Sequence, residues 1–196
     1  MIKIENLTVS FQEKQVLNQY SLMISDGSTV CIMGDSGVGK STLLKVLMGI
    51  VTPESGLITG LEKKKISVVF QEDRLCEQLS AVKNVMMVLE GKHKRELAVK
   101  HLSELLEQDA LNQQTRSLSG GMKRRVSIAR AFAYPSDVIL MDEPFTGLDV
   151  VTKQKTIDYM LKYKNERTLI LVTHDSNDAN SLKADRIVKI VHKESD

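Results

Sequence analysis

One eight-residue stretch of the sequence has the composition of a phosphate-binding loop. It is GDSGVGKS, from Gly34 to Ser41, and it matches the pattern G-x-x-x-x-G-K-[ST] at every position. The glycines let the backbone wrap a phosphate chain, Lys40 can reach the β- and γ-phosphates, and Ser41 can offer its hydroxyl to Mg²⁺. An apolar run precedes the loop and a helical pattern follows it, which is the context that this chemistry requires. The sequence therefore predicts a nucleotide site. The residues predicted to bind the nucleotide here are Gly34, Asp35, Ser36, Gly37, Val38, Gly39, Lys40, Ser41 and Thr42.

A pair of carboxylates supplies the second half of this chemistry. Asp142 ends the apolar run VILMD, where a protein with such a loop holds its Mg²⁺. Glu143 comes next and is the natural candidate to orient and deprotonate a water that attacks the γ-phosphate. An acidic pair can also simply cap a strand, but the phosphate loop in the same chain favours the catalytic interpretation.

A histidine follows another apolar run. His174 comes after TLILVT, so it is expected at the carboxyl end of a buried strand, the edge at which open parallel sheets bind ligands. An imidazole there can hydrogen-bond a γ-phosphate oxygen and distinguish ATP from ADP, although a lone histidine is usually structural. His93, His101 and His192 lie on polar or terminal stretches and are interpreted as structural.

A second glycine-rich turn is a further candidate anion site. The sequence LSGG (118–121) runs into a helix predicted over 122–132. The backbone N–H groups at such a turn, together with the positive end of the helix dipole, suit an anion. One small chain thus carries two candidate phosphate sites.

The elements that must position these residues alternate along the chain. Helical patterns lie between apolar runs, which implies a mainly parallel sheet with helices on both faces. The strands are predicted over 2–11 (one or two half-buried strands), 28–34, 65–71, 136–144, 167–175 and, as an edge strand, 186–192. Residues 53–60 read as a turn region. The stretch of roughly 72–135 breaks the alternation and is expected to form a helical subdomain, with helical spacing from Ser80, a plausible N-cap, to about residue 107.

Length and composition favour a soluble, cytosolic, single-domain protein. The chain has 196 residues, a net charge of +2 and two cysteines, which argues against a disulfide framework. Its N-terminus lacks the apolar core of a signal peptide, and no stretch approaches the ~20 apolar residues of a membrane span. The lysine-rich runs at 62–65 and 92–95 are interpreted as solvated faces, so no nucleic-acid partner is expected.

The motifs together resemble those of ATP-binding cassette (ABC) transporter ATPases. They are GDSGVGKST, Gln71 after SVVF, LSGGM, VILMDEP, TGLD (146–149) and His174, in an order and spacing that hold from about Ile2 to Val191. The resemblance implies a P-loop NTPase (RecA-like) α/β fold. That fold has a mainly parallel core, an N-terminal antiparallel β subdomain and an α-helical subdomain, here within a single domain over 1–196. It also implies ATP and Mg²⁺ as cofactors.

The resemblance also implies roles for single residues. Phe11 would stack on adenine with Val16 beside the base, although Phe11 taken alone would be interpreted as a core residue. Gln71 would touch Mg²⁺ or the attacking water and link the nucleotide to the helical subdomain. Asp149 would cross to an opposite subunit. In this family two ATPase domains dimerise head to tail, so Ser119, Gly120 and Gly121 would bind the γ-phosphate of a nucleotide held by the partner.

Three features depart from the family pattern. Met122 stands where glutamine is commoner, and the segment between Gly56 and Gln71 is short, which predicts a trimmed antiparallel sheet. The chain ends soon after His174, so a minimal cassette without a regulatory domain is expected.

The segment VVFQEDRL (68–75) resembles importer ATPases of the nitrate, sulfonate and taurine group. The first hypothesis is therefore the ATPase subunit of a bacterial importer, cytoplasmic and peripheral on the inner face of the membrane. Its partners would be a second ATPase chain, identical or not, membrane permease subunits and an extracytoplasmic substrate-binding protein. A permease helix is expected to dock near Leu75, Leu79 and Met86, unless these residues simply pack in the core.

Two alternatives stay open at this point. One is the ATPase of a small exporter. The other is a non-transport ABC protein acting on DNA or ribosomes, but such chains usually carry a coiled-coil insertion or a second cassette, which 196 residues do not accommodate. The transported substrate is not indicated, because this subunit does not contact it.

Overall fold

The strands form two sheets in the computed structural model, which describes residues 1–12 and 14–191. The strands of this part of the chain are β1 (Ile2–Phe11), β2 (Lys14–Ile24), β3 (Thr29–Met33), β4 (Ser55–Thr59), β5 (Ile66–Val69), β6 (Val138–Asp142), β7 (Thr168–Val172) and β8 (Arg186–Lys189). The helices are α1 (Lys40–Leu47), α2 (Ala81–Met86), α3 (Lys94–Ser103), α4 (Gly120–Ala133), α5 (Val150–Lys164) and α6 (Ser176–Ser181), with 3₁₀ turns at Gln108–Ala110 and Thr115–Ser117.

The larger sheet is parallel throughout and has the strand order β5-β6-β7-β3-β8. Its central strands β3, β6 and β7 are buried along almost their whole length. Strands covered on both faces are expected to be continuously apolar, as these are. β8 lies at an edge and is largely exposed, as its alternating sequence predicts. The predicted parallel core is confirmed, and the carboxyl ends of all five strands meet at one edge.

The two faces of this sheet bury two separate clusters of side chains. Cys31, Met141 and Leu171 pack on the face covered by α2 to α6. The alternate positions, such as Ile32, Leu140 and Val172, face α1 and the antiparallel sheet. Successive side chains of a strand point to opposite faces, so each apolar run serves both clusters.

The smaller sheet is antiparallel and has the order β2-β1-β4. β1 is one continuous strand, and the interrupted alternation at residues 5–6 is a bulge at which Asn6 adopts a φ of 49°. The turn predicted over 53–60 is wrong, because β4 pairs with β1 there. β4 lies at an edge, where Leu57 stays 56% exposed, so its sequence lacks the pattern of a buried strand.

The helical stretch begins as predicted but is divided. Ser80 caps α2, and its Oγ accepts a hydrogen bond of 3.2 Å from the backbone N–H of Lys83. The single run expected to continue to residue 107 is interrupted between α2 and α3. Gly91 has a φ of +86° in this interval, a conformation that an α-helix does not contain. The predicted periodicity therefore belongs to two short helices rather than one.

One histidine that the sequence places on a polar stretch is in fact buried. His101 of α3 lies against α5, with its Nδ1 2.7 Å from the hydroxyl of Tyr159. Burial lowers the pKa of His101 to about 4, so the ring is neutral near pH 7. His93 is exposed and lies 2.9 Å from Glu96, while His192 lies outside the described residues.

Neither cysteine forms a disulfide: Cys31 is a buried free thiol and Cys76 an exposed one. Among the described residues, none of the helices combines the length and the apolar character that a bilayer crossing requires.

Truncation of Leu140 tests the packing between the parallel sheet and α1. This side chain is 1% exposed, so Leu140→Ala should lower the free energy of unfolding by about 2–5 kcal/mol. Urea denaturation measures the change, with Leu57→Ala as the exposed control, for which we expect less than about 0.5 kcal/mol. Equal effects of the two substitutions would contradict this description of the core.

Candidate nucleotide-binding site

The phosphate loop connects β3 to α1 in the conformation that its glycines allow. Gly39, the residue before α1, has a φ of 107°. A Cβ at Gly39 would lie 2.8 Å from Cγ1 of Val16, so β2 leaves space only for a glycine. Gly37 has a φ of 79° and faces open space, which leaves room for a bound group. The loop is therefore closed on the side of β2 and open where a phosphate would enter.

Lys40 is held at the mouth of this loop. Its side chain is buried, and its Nζ donates hydrogen bonds of 2.8 Å to the carbonyls of Gly34 and Asp35. The loop thus orients its own cation without a carboxylate partner among these contacts. Carbonyl dipoles orient an ammonium group without supplying a negative charge that would offset it. The group can therefore attract an incoming anion, and the N-terminus of α1 adds to this attraction.

Asp142 ends β6 close to this loop. It is buried, and its Oδ1 has no hydrogen-bond partner among the described residues. Burial raises the pKa of Asp142, while a hydrogen bond from Ser41 opposes that rise. A buried carboxylate oxygen without a partner is costly in a folded protein. The missing hydrogen-bond partner of Oδ1 therefore indicates that a bound group completes the site.

Glu143 and His174 are brought together by adjacent strands. Glu143 follows β6 and His174 follows β7, and Oε1 of Glu143 lies 3.5 Å from Nδ1 of His174. Glu143 has a φ of 45°, rare for a residue with a side chain, and its N–H donates to the carbonyl of Val172 at 3.0 Å. Strained backbone of this kind clusters at functional sites. The acid and the imidazole are therefore fixed at the same edge as the phosphate loop.

Three further predicted residues lie around this edge. Gln71 follows β5, the neighbour of β6, and its side chain is exposed. Phe11 is 47% exposed at the end of β1, which rules out its interpretation as a core residue. Val16 is half-buried and packs on Gly39, joining β2 to the phosphate loop.

The second glycine-rich turn forms a separate cleft. Ser119 caps α4, and its Oγ accepts a hydrogen bond of 3.3 Å from the N–H of Met122. Asp149 caps α5, where hydrogen bonds from Thr152 keep its pKa below the usual value. One open cleft is lined by Ser119, Gly120, Gly121 and Asp149. Among the described residues, none from the phosphate loop lines this cleft. The two candidate phosphate sites are thus apart within one chain.

Two basic residues near these segments were not predicted. Lys153 of α5 pairs with Asp175 at 2.8 Å and with Asp178, which anchors the segment after His174 to the helix that follows Asp149. Arg124 of α4 is buried and bonds to the segment that holds Gln71. The burial of Arg124 could have been predicted from its spacing of four and seven residues from Ile128 and Ala131, which places all three on the buried face of α4.

A parallel sheet with a phosphate loop after one strand and carboxylates after another defines a P-loop nucleotide-binding protein. The family model described as ABC transporter matches residues 17–146 of this chain. The chain belongs to the ABC transporter family, and the predicted family and fold class are confirmed.

Relatives and solved structures agree with this assignment. The chain is 36% identical over 193 residues to a bicarbonate transport ATP-binding protein of Synechocystis sp., an alignment that covers 90% of this chain and 68% of that protein. It is 36% identical over 192 residues to an aliphatic sulfonates import ATP-binding protein of Agrobacterium fabrum, covering 94% and 69%. A dimeric ATP-binding cassette solved in a post-hydrolysis state with ADP and Pi is 31% identical. It superposes with a TM-score of 0.86 over 97% of this chain and 94% of that one. The chain is thus an ATP-binding subunit of the transporter class, as predicted.

Proposed function

We propose that this chain hydrolyses ATP to drive import through a bacterial membrane permease. The observation that carries the proposal is the convergence of Lys40, Asp142, Glu143 and His174 at one sheet edge, with the carboxylate of Glu143 3.5 Å from the imidazole of His174. These groups can bind a phosphate chain, neutralise its charge and activate a water beside it.

Magnesium fits the residues present at this edge. The hydroxyl of Ser41 and the orphaned Oδ1 of Asp142 are hard oxygen donors of the type that Mg²⁺ prefers. Among the described residues no group of three or more His, Cys, Asp or Glu side chains could hold a metal by itself. Mg²⁺ is usually bound by one or two protein oxygens together with substrate phosphates, so this sparse donor set suits it. When bound, the ion would neutralise phosphate charge, and Gln71 would be a further oxygen donor to it.

Within this proposal the chain supplies positioning and one proton acceptor. Lys40 holds the phosphate chain, and Glu143 orients and deprotonates the attacking water. His174 contacts a γ-phosphate oxygen, and its 71% exposed side chain is free to do so. The exposed ring of Phe11 stacks on adenine, and Val16 packs beside the base and supports the loop behind the phosphates.

The cleft at Ser119, Gly120, Gly121 and Asp149 serves the nucleotide of a partner chain in a head-to-tail dimer. Its separation from the phosphate loop supports this arrangement, because a single chain cannot bring both groups to one γ-phosphate. Two chains then enclose two ATP molecules.

The remaining assignments concern the assembled transporter. Residues 72–135 act as the helical subdomain within a single ATPase domain over 1–196, and this subdomain contacts the permease. Leu75 and Met86 pack partly against the core, and their exposed parts, together with half-buried Leu79 and the 59% exposed Met87, form the docking face that we favour. The chain lies on the inner face of the membrane, and an extracytoplasmic binding protein delivers the substrate.

The reading frames that flank this one test the direction of transport. Import is supported if a multi-span permease and a secreted binding protein are encoded beside it. A permease without a binding protein would favour the exporter alternative.

Replacement of Glu143 by glutamine tests the catalytic assignment. Glu143→Gln keeps the size of the side chain but removes the base, so ATP binding should persist while hydrolysis falls by about 10²- to 10⁴-fold. The unhydrolysed nucleotide should then hold two chains together, which size-exclusion chromatography with ATP and Mg²⁺ will detect. Glu90→Gln, at an exposed position away from this edge, is the matched control. A Glu143→Gln variant that hydrolyses ATP at the wild-type rate would remove the assignment.

Mixing two inactive variants tests the shared site. Lys40→Ala removes the ammonium that binds phosphate, and Ser119→Glu sets a carboxylate against the γ-phosphate. In either homodimer both sites are damaged. If the sites are shared, a heterodimer combines both lesions in one site and leaves the other site intact. The mixture should therefore form ATP-dependent heterodimers that retain one tightly held nucleotide. No gain over either variant alone, with both folded by circular dichroism, would count against a shared site.

A further inference from the structure

The segment that carries Gln71 is bound to α4 through its backbone. Arg124 donates from Nη1 to the carbonyl of Phe70 at 2.6 Å and from Nη2 to the carbonyl of Gln71. Its Nε lies 3.2 Å from Oδ1 of Asp73. The guanidinium thus bonds to two backbone carbonyls of the segment that leaves β5 and forms an ion pair with a carboxylate of the same segment.

A second arginine continues this contact along the same helix. Arg130 donates to the carbonyl of Arg74 at 3.0 Å and to that of Asp73 at 3.3 Å. Arg74 itself has a φ of 43°, and its guanidinium lies 3.9 Å from the centre of the Phe70 ring. The two ends of the segment 70–74 are therefore in contact. Four of the five carbonyls over 70–74 therefore accept from α4.

These bonds fix the backbone of Gln71 and leave its side chain free. The Gln71 side chain is exposed, whereas Arg124 is buried. A buried cation that lost its carbonyl and carboxylate partners would keep the full cost of desolvation, so this connection is stiff. Lysine cannot reproduce it, because one ammonium group does not present a planar fork.

The same helix begins at the second phosphate site. Ser119 caps α4, and Arg124 follows five residues later, about 7.5 Å along the axis at ~1.5 Å per residue. A helix moves as a rigid unit over such a distance. A shift of Ser119 therefore moves Arg124 and, through it, the backbone of Gln71.

We propose that Arg124 is a positioning residue that couples the turn at Ser119 to Gln71 of the same chain. This inference rests on the proposed function, in which Ser119 meets the partner's nucleotide and Gln71 meets the chain's own. Nucleotide bound at one site of the dimer then places Gln71 in the other site, so the two sites act together. Arg130 supports the same segment from one end.

Steady-state kinetics of Arg124→Met test the coupling. The variant keeps most of the side-chain volume but loses the fork, so KM for ATP should stay within about threefold, because the phosphate loop is untouched. We expect kcat to fall about 10- to 100-fold, the effect of a misplaced catalytic group. The Hill coefficient should fall from near 2, the limit for two sites, toward 1.

Arg167→Met is the matched control. Arg167 also bonds to backbone carbonyls near α4, those of Phe132 and Tyr134 at the C-terminal end of the helix, but not to residues 70–74. Its loss should lower stability without changing the Hill coefficient. If Arg124→Met does not fold, Arg124→Lys keeps the charge without the fork, and the same kinetic result is expected of it.

A fluorescent reporter follows the segment itself. The chain contains no tryptophan, so Glu72→Trp places a single one at an exposed position beside Gln71. In the Glu143→Gln background, ATP with Mg²⁺ should shift its emission as the dimer forms. Adding Arg124→Met should abolish the shift while size-exclusion chromatography still detects the dimer.

The outcomes separate the two proposals. A reporter that responds equally with and without Arg124, or a Hill coefficient unchanged in Arg124→Met, overturns the coupling alone. A Glu143→Gln chain that keeps Arg124 and forms no ATP-dependent dimer overturns the proposed function, and the coupling with it.

Discussion

Parallel hydrogen bonding between β5, β6, β7 and β3 brings residues from distant parts of the sequence to one edge. Gln71, Glu143, His174 and the phosphate loop each follow a different strand, and only the shared strand direction makes them neighbours. The strands stay in register because almost every side chain of β3, β6 and β7 is buried. A slip by one residue would exchange the two faces of the sheet and the two clusters that cover them.

The electrostatics of this edge consist of groups that are oriented before any ligand binds. Lys40 and Asp142 are both buried, yet Lys40 bonds to loop carbonyls, and one oxygen of Asp142 has no hydrogen-bond partner among the described residues. The fold therefore bears a cost at Asp142 that a cation can relieve. Preoriented charges in a site shielded from water act more strongly than the same charges in solution. The apolar sheet beneath the edge is what shields them.

α4, which lies between β5 and β6, and α5, which lies between β6 and β7, connect the two candidate phosphate sites of one chain. α4 begins at the turn that contains Ser119 and holds the segment after β5 through Arg124 and Arg130. α5 begins at Asp149 and holds the segment after His174 through Lys153. The segments that follow β5 and β7 are thus each bonded to a helix that begins at the cleft of Ser119 and Asp149. The first connection consists of arginines that donate to backbone carbonyls, and the second of a lysine paired with carboxylates.

Local patterns in the sequence were sufficient for the phosphate loop, the central strands and the cap at Ser80. Each of these depends on neighbours within a few residues: glycines beside a lysine, a continuous apolar run, or a hydroxyl three residues from an N–H. The edge strand β4, the break near Gly91, the burial of His101 and the contacts of Arg124 were decided only by the tertiary structure. β4 exists because β1 offers it a hydrogen-bonding edge, and His101 is buried because Tyr159 of α5 packs against it. Arg124 lies in a basic run that suggests an exposed residue. Its buried position depends on the carbonyls of residues 70 and 71, which lie more than fifty positions away in the chain. Such contacts carry no local signal, because their energy comes from groups that only folding brings together.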